Sequence, residues 1–306
     1  MWCGDVADLV KPLYEGMAER VRQSHVVATD ETIMPMLSPG QAKQARMWVY
    51  VGDETQPYNV FDFTLSRGRD GPVRFLKDYN QVLLADAYGG YNGVVVSNQM
   101  TRAGCWAHAR RKFVDAEKVA PEMAREAVEW IGRLYAVEKQ AKDVSVAERL
   151  QLRQLQSLPI LVQMRSRFLT WKEQLLPKHP MAEAVNYTLG QWQELNVFCS
   201  DGAVPIDNNV SEREMKRVVL NRKNSLFVGN ERGGRTAASL AILAILASLA
   251  STCRRHDIDP QLYFTQLLMN LPQTKMSQLA EWLPDQWKLR HTERLANLPT
   301  TTRPTP

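Results

Sequence analysis

The hydrophobic period of the chain changes twice, and this change constrains the fold more than any other feature of the sequence. Residues 45–53 and 58–66 alternate apolar and polar side chains, as half-buried strands do, and the turn-forming run GDETQP lies between them. From about residue 107 to residue 199 the apolar side chains recur instead at helical spacing. Strand signals, then a helical block and further helices, predict an α/β protein with a large all-α insertion.

The same pattern divides the chain into six segments. We predict an N-terminal helix (residues 1–24), the first part of the core (25–106) and the helical insertion (107–204). These are followed by a core helix with a basic segment (205–235), C-terminal helices (236–272) and a partly disordered tail (273–306). Pro12 is expected to start or kink the first helix, and Pro159 to break a long insertion helix. Pro180 suits the first turn of a helix, and SVAE at Ser145 has the form of a capping box.

Composition indicates a protein without a membrane span or a disulfide framework. The 306 residues are 44% hydrophobic and 23% charged, with a net charge of +5, which is too mild to identify a partner alone. Four scattered cysteines without a CxxC pair suit a reduced intracellular protein, and the N-terminus is unlike a signal peptide. Residues 236–253 carry no charge, but their Leu/Ile-dense part is shorter than the roughly 20 residues that a span needs. A buried core helix is therefore predicted there.

Two aspartates follow apolar runs that are typical of buried strands. Asp30 ends the run VVATD, and Asp86 ends the run VLLAD. The carboxyl ends of parallel neighbouring strands share one sheet edge, where two carboxylates repel each other unless a cation or a shared proton offsets their charge. Hard divalent ions such as Mg²⁺ take oxygen ligands of this kind. For either aspartate alone, a strand-end cap or a turn residue is the more common interpretation.

Glu212 is the third acidic candidate. Asn208 or Asn209 can cap a helix that starts near Val210, which places Glu212 in its first turn, in line with the apolar Met215. Val219 continues this face. A glutamate at the inward edge of a helix is costly unless it is paired or binds a metal. The alternative is a capping box formed by Asn209 and Glu212, and the two interpretations are compatible.

Basic residues cluster around these acids. Seven basic residues and two acids lie between Arg213 and Arg235, and a second group comprises Arg102, Arg110, Arg111 and Lys112 with His108 nearby. Such runs are usually solvated faces, but beside candidate metal ligands they favour a phosphate backbone as partner. Cys105 and His108 have C-x-x-H spacing, although the absence of a second suitable pair in the sequence argues against a zinc site.

Several motifs together resemble one known family. In chain order they are ATDET, LLADAYGGYNG, AGCWAHARRKF, PIDNNVSERE, NRKNSLFVGNERGG and IDPQLYFTQLL. In order and spacing they are similar to the transposases of insertion sequence family 66, from the first helix to about Pro272. The resemblance implies a ribonuclease H-like fold with an Asp-Asp-Glu metal site and a helical insertion before the glutamate.

The resemblance also implies an activity. Asp30, Asp86 and Glu212 would be the catalytic acids, holding two Mg²⁺ ions, with Mn²⁺ as a substitute. Water would nick the DNA at transposon ends, and the freed 3′-hydroxyl would attack target DNA. The expected partners are DNA, accessory proteins of the same element and further copies of the chain, at the nucleoid in a bacterial cytoplasm. The candidate DNA contacts are Arg213, Lys216, Arg217, Arg222, Lys223, Asn224, His108 and Arg111.

The chain departs from the family pattern at several points. Thr29 and Ala87 replace the usual alanine and glycine, which we expect to be mild, whereas Ser225 replaces a tryptophan and is expected to alter packing or DNA contact. Full-length members carry a DNA-binding region ahead of the catalytic part, and Met1 falls just before that part, so a truncated gene or a fragment is expected. Two alternatives are a nuclease that cuts without joining and a silent remnant that only binds DNA or proteins.

Overall fold

The computed structural model describes residues 2–38, 41–65, 70–224 and 233–297, and its elements make an α/β protein. The strands are β1 (Val26–Ser38), β2 (Gln41–Val51), β3 (Asn59–Thr64), β4 (Val82–Leu84) and β5 (Thr101–Ala103). The helices are α1 (Trp2–Arg22), α2 (Asp70–Phe75), α3 (Asn92–Ser97), α4 (Trp106–Ala116), α5 (Pro121–Gln140), α6 (Val146–Leu152), α7 (Leu158–Gln174), α8 (Pro180–Gly190), α9 (Trp192–Asn196), α10 (Asn209–Asn224), α11 (Gly233–Arg255), α12 (Pro260–Asn270) and α13 (Pro284–Ala296). The α/β class predicted from the sequence is confirmed.

The chain forms two compact units, and each has its own strands. The first unit carries three neighbouring strands in the order β3-β2-β1, and the second unit carries β4 beside β5. The first unit comprises residues 1–79 and 211–306, and the second comprises residues 80–210. In the first unit β1, β2 and β3 are antiparallel, whereas β4 and β5 of the second unit run parallel.

The core of the first unit lies between its three strands and two long helices. The apolar face of α1 is fully buried at Val10, Leu13, Met17 and Val21, because these residues recur at helical spacing. Trp48, Val49 and Tyr50 of β2 are also fully buried. Alternation in β2 and β3 therefore predicted the strands correctly, although both sides of β2 are covered.

Helix α11 covers β3 with hydroxyl groups as well as apolar side chains. Ser248 Oγ accepts a hydrogen bond from the backbone N–H of Phe61 (2.8 Å), and Thr252 Oγ1 accepts one from that of Asn59 (3.1 Å). A strand at the end of the sheet order otherwise leaves such groups without a neighbouring strand. The prediction of a buried core helix over residues 236–253 is confirmed for the side chains that the structure describes, which begin at Ile242. No helix within the described ranges is long and apolar enough to cross a bilayer.

The second unit is mainly helical, with β4 and β5 at its start. Helix α4 packs against α5 and α8, and its buried face is formed by Trp106, Ala109, Phe113 and Ala116. Phe168 of α7 stacks on Phe113, with ring centroids 5.1 Å apart. These aromatic contacts supply the apolar area that holds the insertion helices together.

The proline predictions have mixed outcomes. Pro180 occupies the first turn of α8, and Ser145 with Glu148 forms the predicted capping box. Pro12 lies inside α1, so it does not start that helix. The prediction that Pro159 breaks a long helix is wrong, because α6 runs into α7 through a π-helical turn at Arg153–Ser157. The π-helical turn shifts the backbone hydrogen bonds from the i→i−4 pattern to the i→i−5 pattern. Pro159, in the first turn of α7, is therefore tolerated although it has no N–H to donate.

The prediction for the C-terminal tail falls partly outside the described residues. Within the segment assigned to the C-terminal tail, residues 276–282 form 3₁₀ structure and residues 284–296 form α13. Residues 298–306, the part of the tail for which disorder is predicted, lie outside the described ranges.

Candidate active site

Asp30 lies on β1 in the first unit. Its prediction at the exit of a strand is wrong, because β1 continues to Ser38 and Asp30 pairs with Val49 of β2 inside the ladder. The residues that follow it include Thr32, Ile33 and Met34, which are suited to a strand and extend the pairing with β2. The half-buried carboxylate accepts a hydrogen bond from the N–H of Glu31 through Oδ1 (2.8 Å).

Asp86 lies in the loop that follows β4, as predicted. The strand ends at Leu84, and Asp86 Oδ1 accepts a hydrogen bond from the backbone N–H of Tyr88 (3.0 Å). This side-chain-to-backbone bond is the Asx turn that aspartate commonly forms. The turn fixes the direction of the half-buried carboxylate.

Arg102 of β5 is hydrogen-bonded to the same loop. Its guanidinium donates to the backbone oxygens of Asp86 and Tyr88 and to Asn92 Oδ1 (2.6 Å). These bonds engage the guanidinium within the protein, and the place of Arg102 in a phosphate-binding cluster stays a prediction. Several fixed donors on one planar group suit this bridging role.

Tyr187 of α8 contacts this loop from the helical part of the second unit. Its hydroxyl oxygen accepts a hydrogen bond from the backbone N–H of Ala87. Burial, followed by the nearby charge of Asp86, raises the pKa of Tyr187 to about 12, so the phenol stays neutral at ordinary pH. Lys112 lies 5.8 Å from the centre of the ring.

The segment that enters α10 is fixed by α4 and α5. Asp207 accepts hydrogen bonds from the backbone N–H of Asn209 (3.1 Å) and from the Tyr135 hydroxyl (2.8 Å). Cys105 Sγ accepts one from the N–H of Asn208 (3.2 Å), so this thiol has a structural contact. These bonds set where α10 begins.

The start of α10 agrees in part with the prediction. The helix begins at Asn209, so Asn208 precedes the first helical residue. Asn209 is already helical, and its side-chain amide donates to Asp207 (2.7 Å). The alternative of a capping box between Asn209 and Glu212 is therefore wrong.

Glu212 lies in the first turn of α10 and is half-buried. Its neighbours Ser211, Glu214 and Met215 are buried, so they form the inward face of the helix in the first unit. The carboxylate of Glu214 accepts hydrogen bonds from the hydroxyl of Ser251 in α11 (2.5 Å) and from Arg217 (3.1 Å). Glu214 thus anchors the helix, and Glu212 lies at the edge of the anchored face.

The predicted DNA contacts have different environments. The side chains of Arg213, Lys216, Arg217 and Arg111 are exposed, and His108 is half-buried. Arg217 pairs with Glu214, so it is partly engaged within the first unit. The side chains of Arg222, Lys223 and Asn224, at the end of α10, lie outside the described residues, as does Ser225.

Asp30 and Glu212 belong to the first unit, and Asp86 belongs to the second.

Sequence reasoning missed the supporting residues Tyr135, Tyr187 and Asp207 and the clamping role of Arg102. A tyrosine within an amphipathic helix carries no local signal of its partner. Of these residues, Asp207 alone has a local sequence signal, because it lies directly before two asparagines at the start of a helix.

Comparison with known proteins identifies the family. The model of the transposase IS66 family matches residues 1–236. The chain is similar to uncharacterized protein y4jD of Sinorhizobium fredii (strain NBRC 101917 / NGR234), with 35% identity over 306 residues, 94% of this chain and 58% of that protein. It is also similar to y4qI of the same strain, with 30% identity, 92% of this chain and 55% of that protein. The chain therefore spans between half and two thirds of the length of these relatives. It belongs to the IS66 transposase family.

Proposed function

We propose that the chain is the catalytic part of a metal-dependent DNA transposase that cuts at transposon ends and joins the freed 3′-hydroxyl to target DNA. The observation that carries the proposal is the family match over residues 1–236, which includes Asp30, Asp86 and Glu212. The family suggests polynucleotidyl transfer and implies DNA as the partner. Cutting, joining and the assignment of the three acids are the proposed part.

The donor set suits the proposed metal ions. Three carboxylates offer hard oxygen ligands, which Mg²⁺ prefers and Mn²⁺ also accepts. Asp86 receives one backbone hydrogen bond on Oδ1, which leaves its carboxylate with acceptor capacity for a cation. Two Mg²⁺ ions held by Asp30, Asp86 and Glu212 would supply activation of the attacking oxygen and stabilisation of the leaving oxygen.

The surrounding side chains keep the acids in position. Arg102 and Tyr187 fix the loop of Asp86 from two sides, and the Asx turn orients the carboxylate. Tyr135 and Asp207 fix the entry to α10. Such supporting contacts reduce the reorganisation that a ligand set would otherwise require on binding.

The exposed basic side chains of α10 are the proposed contacts to the DNA backbone. Arg213, Lys216 and Arg217 follow Glu212 directly along the helix. Contacts to phosphate set the register of a duplex without reading its sequence. We assign the same role to Arg222, Lys223, Asn224, His108 and Arg111.

The proposal extends to the fold and the assembly. Three antiparallel strands in the first unit, two parallel strands in the second and helices in both support a ribonuclease H-like core. We propose that copies of the chain assemble on paired transposon ends at the bacterial nucleoid, together with accessory proteins of the element. Closed oligomers of identical chains are the commonest protein assemblies.

A strand-transfer assay tests the proposal. The chain, fused to a DNA-binding domain whose site adjoins the element's terminal repeats, is incubated with Mg²⁺ and a pre-nicked end that carries a free 3′-hydroxyl. We expect joined products from the wild type and a loss of about 10³-fold or more in Asp30→Asn, Asp86→Asn and Glu212→Gln, since such groups act as a unit. Asp115→Asn, an exposed carboxylate on α4, is the matched control and should retain activity.

Other outcomes separate the alternatives. Cutting of intact ends without joining would favour the nuclease, and equal inactivity of the wild type and Asp86→Asn would favour the silent remnant. Activity that persists in all three acid variants would contradict the assignment of the catalytic residues.

A further inference from the structure

A groove runs between α4 and α5 in the second unit. Its first recess, of about 460 Å³, is lined by Ala107, Arg110, Arg111 and Val114 of α4 and by Gly132 and Tyr135 of α5. The four α4 residues recur at helical spacing, on a different face from the buried one. Asn209, at the start of α10, also lines this recess.

A second recess of about 450 Å³ continues the groove along the same helices. It shares Arg110 and Val114 with the first recess and adds Glu117, Arg125 and Glu129. Arg125 pairs with Glu117 (3.5 Å). Among the described residues, the first recess is thus lined by two arginines and no acidic side chain, whereas two glutamates balance the arginines of the second. Of the two recesses, the first therefore has the more positive lining.

Gly132 keeps the floor of the first recess open. It lies within the 20-residue helix α5, where glycine is less favourable than alanine. A Cβ added at this position would meet no described atom within 4 Å, so the packing of this unit does not require glycine. A helical glycine that packing does not require leaves the space above it free for a bound group.

The other walls of the recess suit a phosphate group. The Tyr135 hydroxyl donates to Asp207, and burial and the charge of Asp207 raise the pKa of this tyrosine, so it adds no negative charge. Asn209 donates one amide hydrogen to Asp207 and has a second hydrogen to offer. Arg110 and Arg111 are exposed, and arginine suits bidentate contact with phosphate.

We infer that the first recess of the α4–α5 groove binds the phosphodiester backbone of DNA, with Arg110 and Arg111 as the charged contacts. This inference rests on the proposed function, because it adds a DNA contact in the insertion to those proposed on α10. It is a positioning contact: phosphate recognition does not depend on base sequence and sets where the strand lies.

Fluorescence anisotropy with a labelled duplex of arbitrary sequence, without divalent metal, tests the inference on the full chain. We expect R110Q/R111Q to bind at least about tenfold more weakly, and the slope of log K against log salt to fall by about 0.9 for each phosphate that the variant no longer neutralises. The matched control is R165Q/K172Q, which removes two exposed charges from α7 and should bind as the wild type does.

Gly132→Leu tests the space without changing charge. Because a Cβ at this position meets open space, we expect the variant to keep its Tm while its affinity for the duplex falls severalfold. Affinity of both groove variants equal to that of R165Q/K172Q would overturn the inference, as would a wild type that does not bind the duplex. Equally tight, arginine-dependent binding to anionic phospholipid vesicles would overturn the assignment of DNA.

The two proposals fail separately. If R110Q/R111Q binds and joins DNA normally while Asp86→Asn is inactive, the proposed catalytic function stands, whereas the groove assignment and the proposed DNA contact of Arg111 fall. If binding depends on the groove but Asp86→Asn joins DNA as the wild type does, the groove stands and the catalytic assignment falls.

Discussion

Two buried polar contacts, one in each unit, are satisfied by different means. In the second unit the buried guanidinium of Arg153, 1% exposed, bonds to Glu138 (2.6 and 2.7 Å) and to the backbone oxygens of Phe198 and Asp201. In the first unit α11 uses the neutral hydroxyls of Ser248 and Thr252 on β3. A buried charge without its partner costs far more than a missing neutral hydrogen bond. The second unit should therefore be the more sensitive to single substitutions.

The largest effect is expected at Arg153. Arg153→Met leaves Glu138 and two carbonyl groups without their donor, and should lower the free energy of unfolding by about 3–5 kcal/mol. Urea denaturation followed by tryptophan fluorescence measures this change, and the exposed Arg165→Met is the matched control, with a change within about 0.5 kcal/mol.

A second substitution distinguishes the stability that the ion pair contributes from the cost of leaving one carboxylate unpaired. Because the cost arises from the orphaned carboxylate, Glu138→Leu added to Arg153→Met should restore much of the stability. A double variant as unstable as the sum of the two single variants would contradict this explanation.

Arg102 comes next, because it is half-buried but bridges three acceptors in the Asp86 loop. Arg102→Met should lower the free energy of unfolding by about 2–3 kcal/mol and strand joining by about 10–100-fold. Arg102→Lys should recover only part of the joining activity, since one ammonium cannot reproduce the planar fork. The joining assay at several Mg²⁺ concentrations tests this: a positioning role raises the Mg²⁺ concentration needed for half-maximal joining, whereas a purely structural role would lower the maximum alone.

The hydroxyl seam of Ser248 and Thr252 should respond more weakly. Ser248→Ala leaves the buried N–H of Phe61 without its acceptor and should cost about 1–3 kcal/mol. Thr265→Ala is the matched control, because this exposed hydroxyl bonds within its own helix, at Gln261 (2.8 Å). Thermal unfolding of both variants measures the difference, and a larger effect in Ser248→Ala than in Arg153→Met would reverse the ranking of the two units.

Local pattern predicted much of the fold and less of the site. Alternation predicted β2 and β3, and the uncharged run predicted α11, because both signals depend on short-range spacing. The extent of β1 depends on pairing with β2, so Asp30 was placed at a strand end. The hydrogen bond between Tyr187 and the backbone of Ala87 joins residues that are distant in the sequence, so local spacing does not predict it. Pro159 was misjudged because a π-helical turn, and the buried Arg153 within it, cannot be read from proline alone.

One carboxylate of the first unit gives the smallest expected effect and a test by pH. Burial alone would raise the pKa of Asp285, but hydrogen bonds from Tyr58 (2.5 Å) and Gln286 outweigh it and lower the pKa. A folded pKa below the unfolded value of about 3.9 contributes stability above that value, and this contribution disappears as pH falls through the folded pKa.

Asp285→Asn should therefore be slightly less stable than the wild type at pH 7 and nearly equal to it well below pH ~3.9. Denaturant midpoints across this range measure the difference. Asp259→Asn is a poor control, because it caps α12, whereas the exposed Asp78→Asn makes a fair one. If Asp285→Asn lost as much unfolding free energy at neutral pH as Arg153→Met, a half-buried carboxylate would contribute as much stability as a buried guanidinium. The difference between the two contacts would then depend on charge rather than on burial.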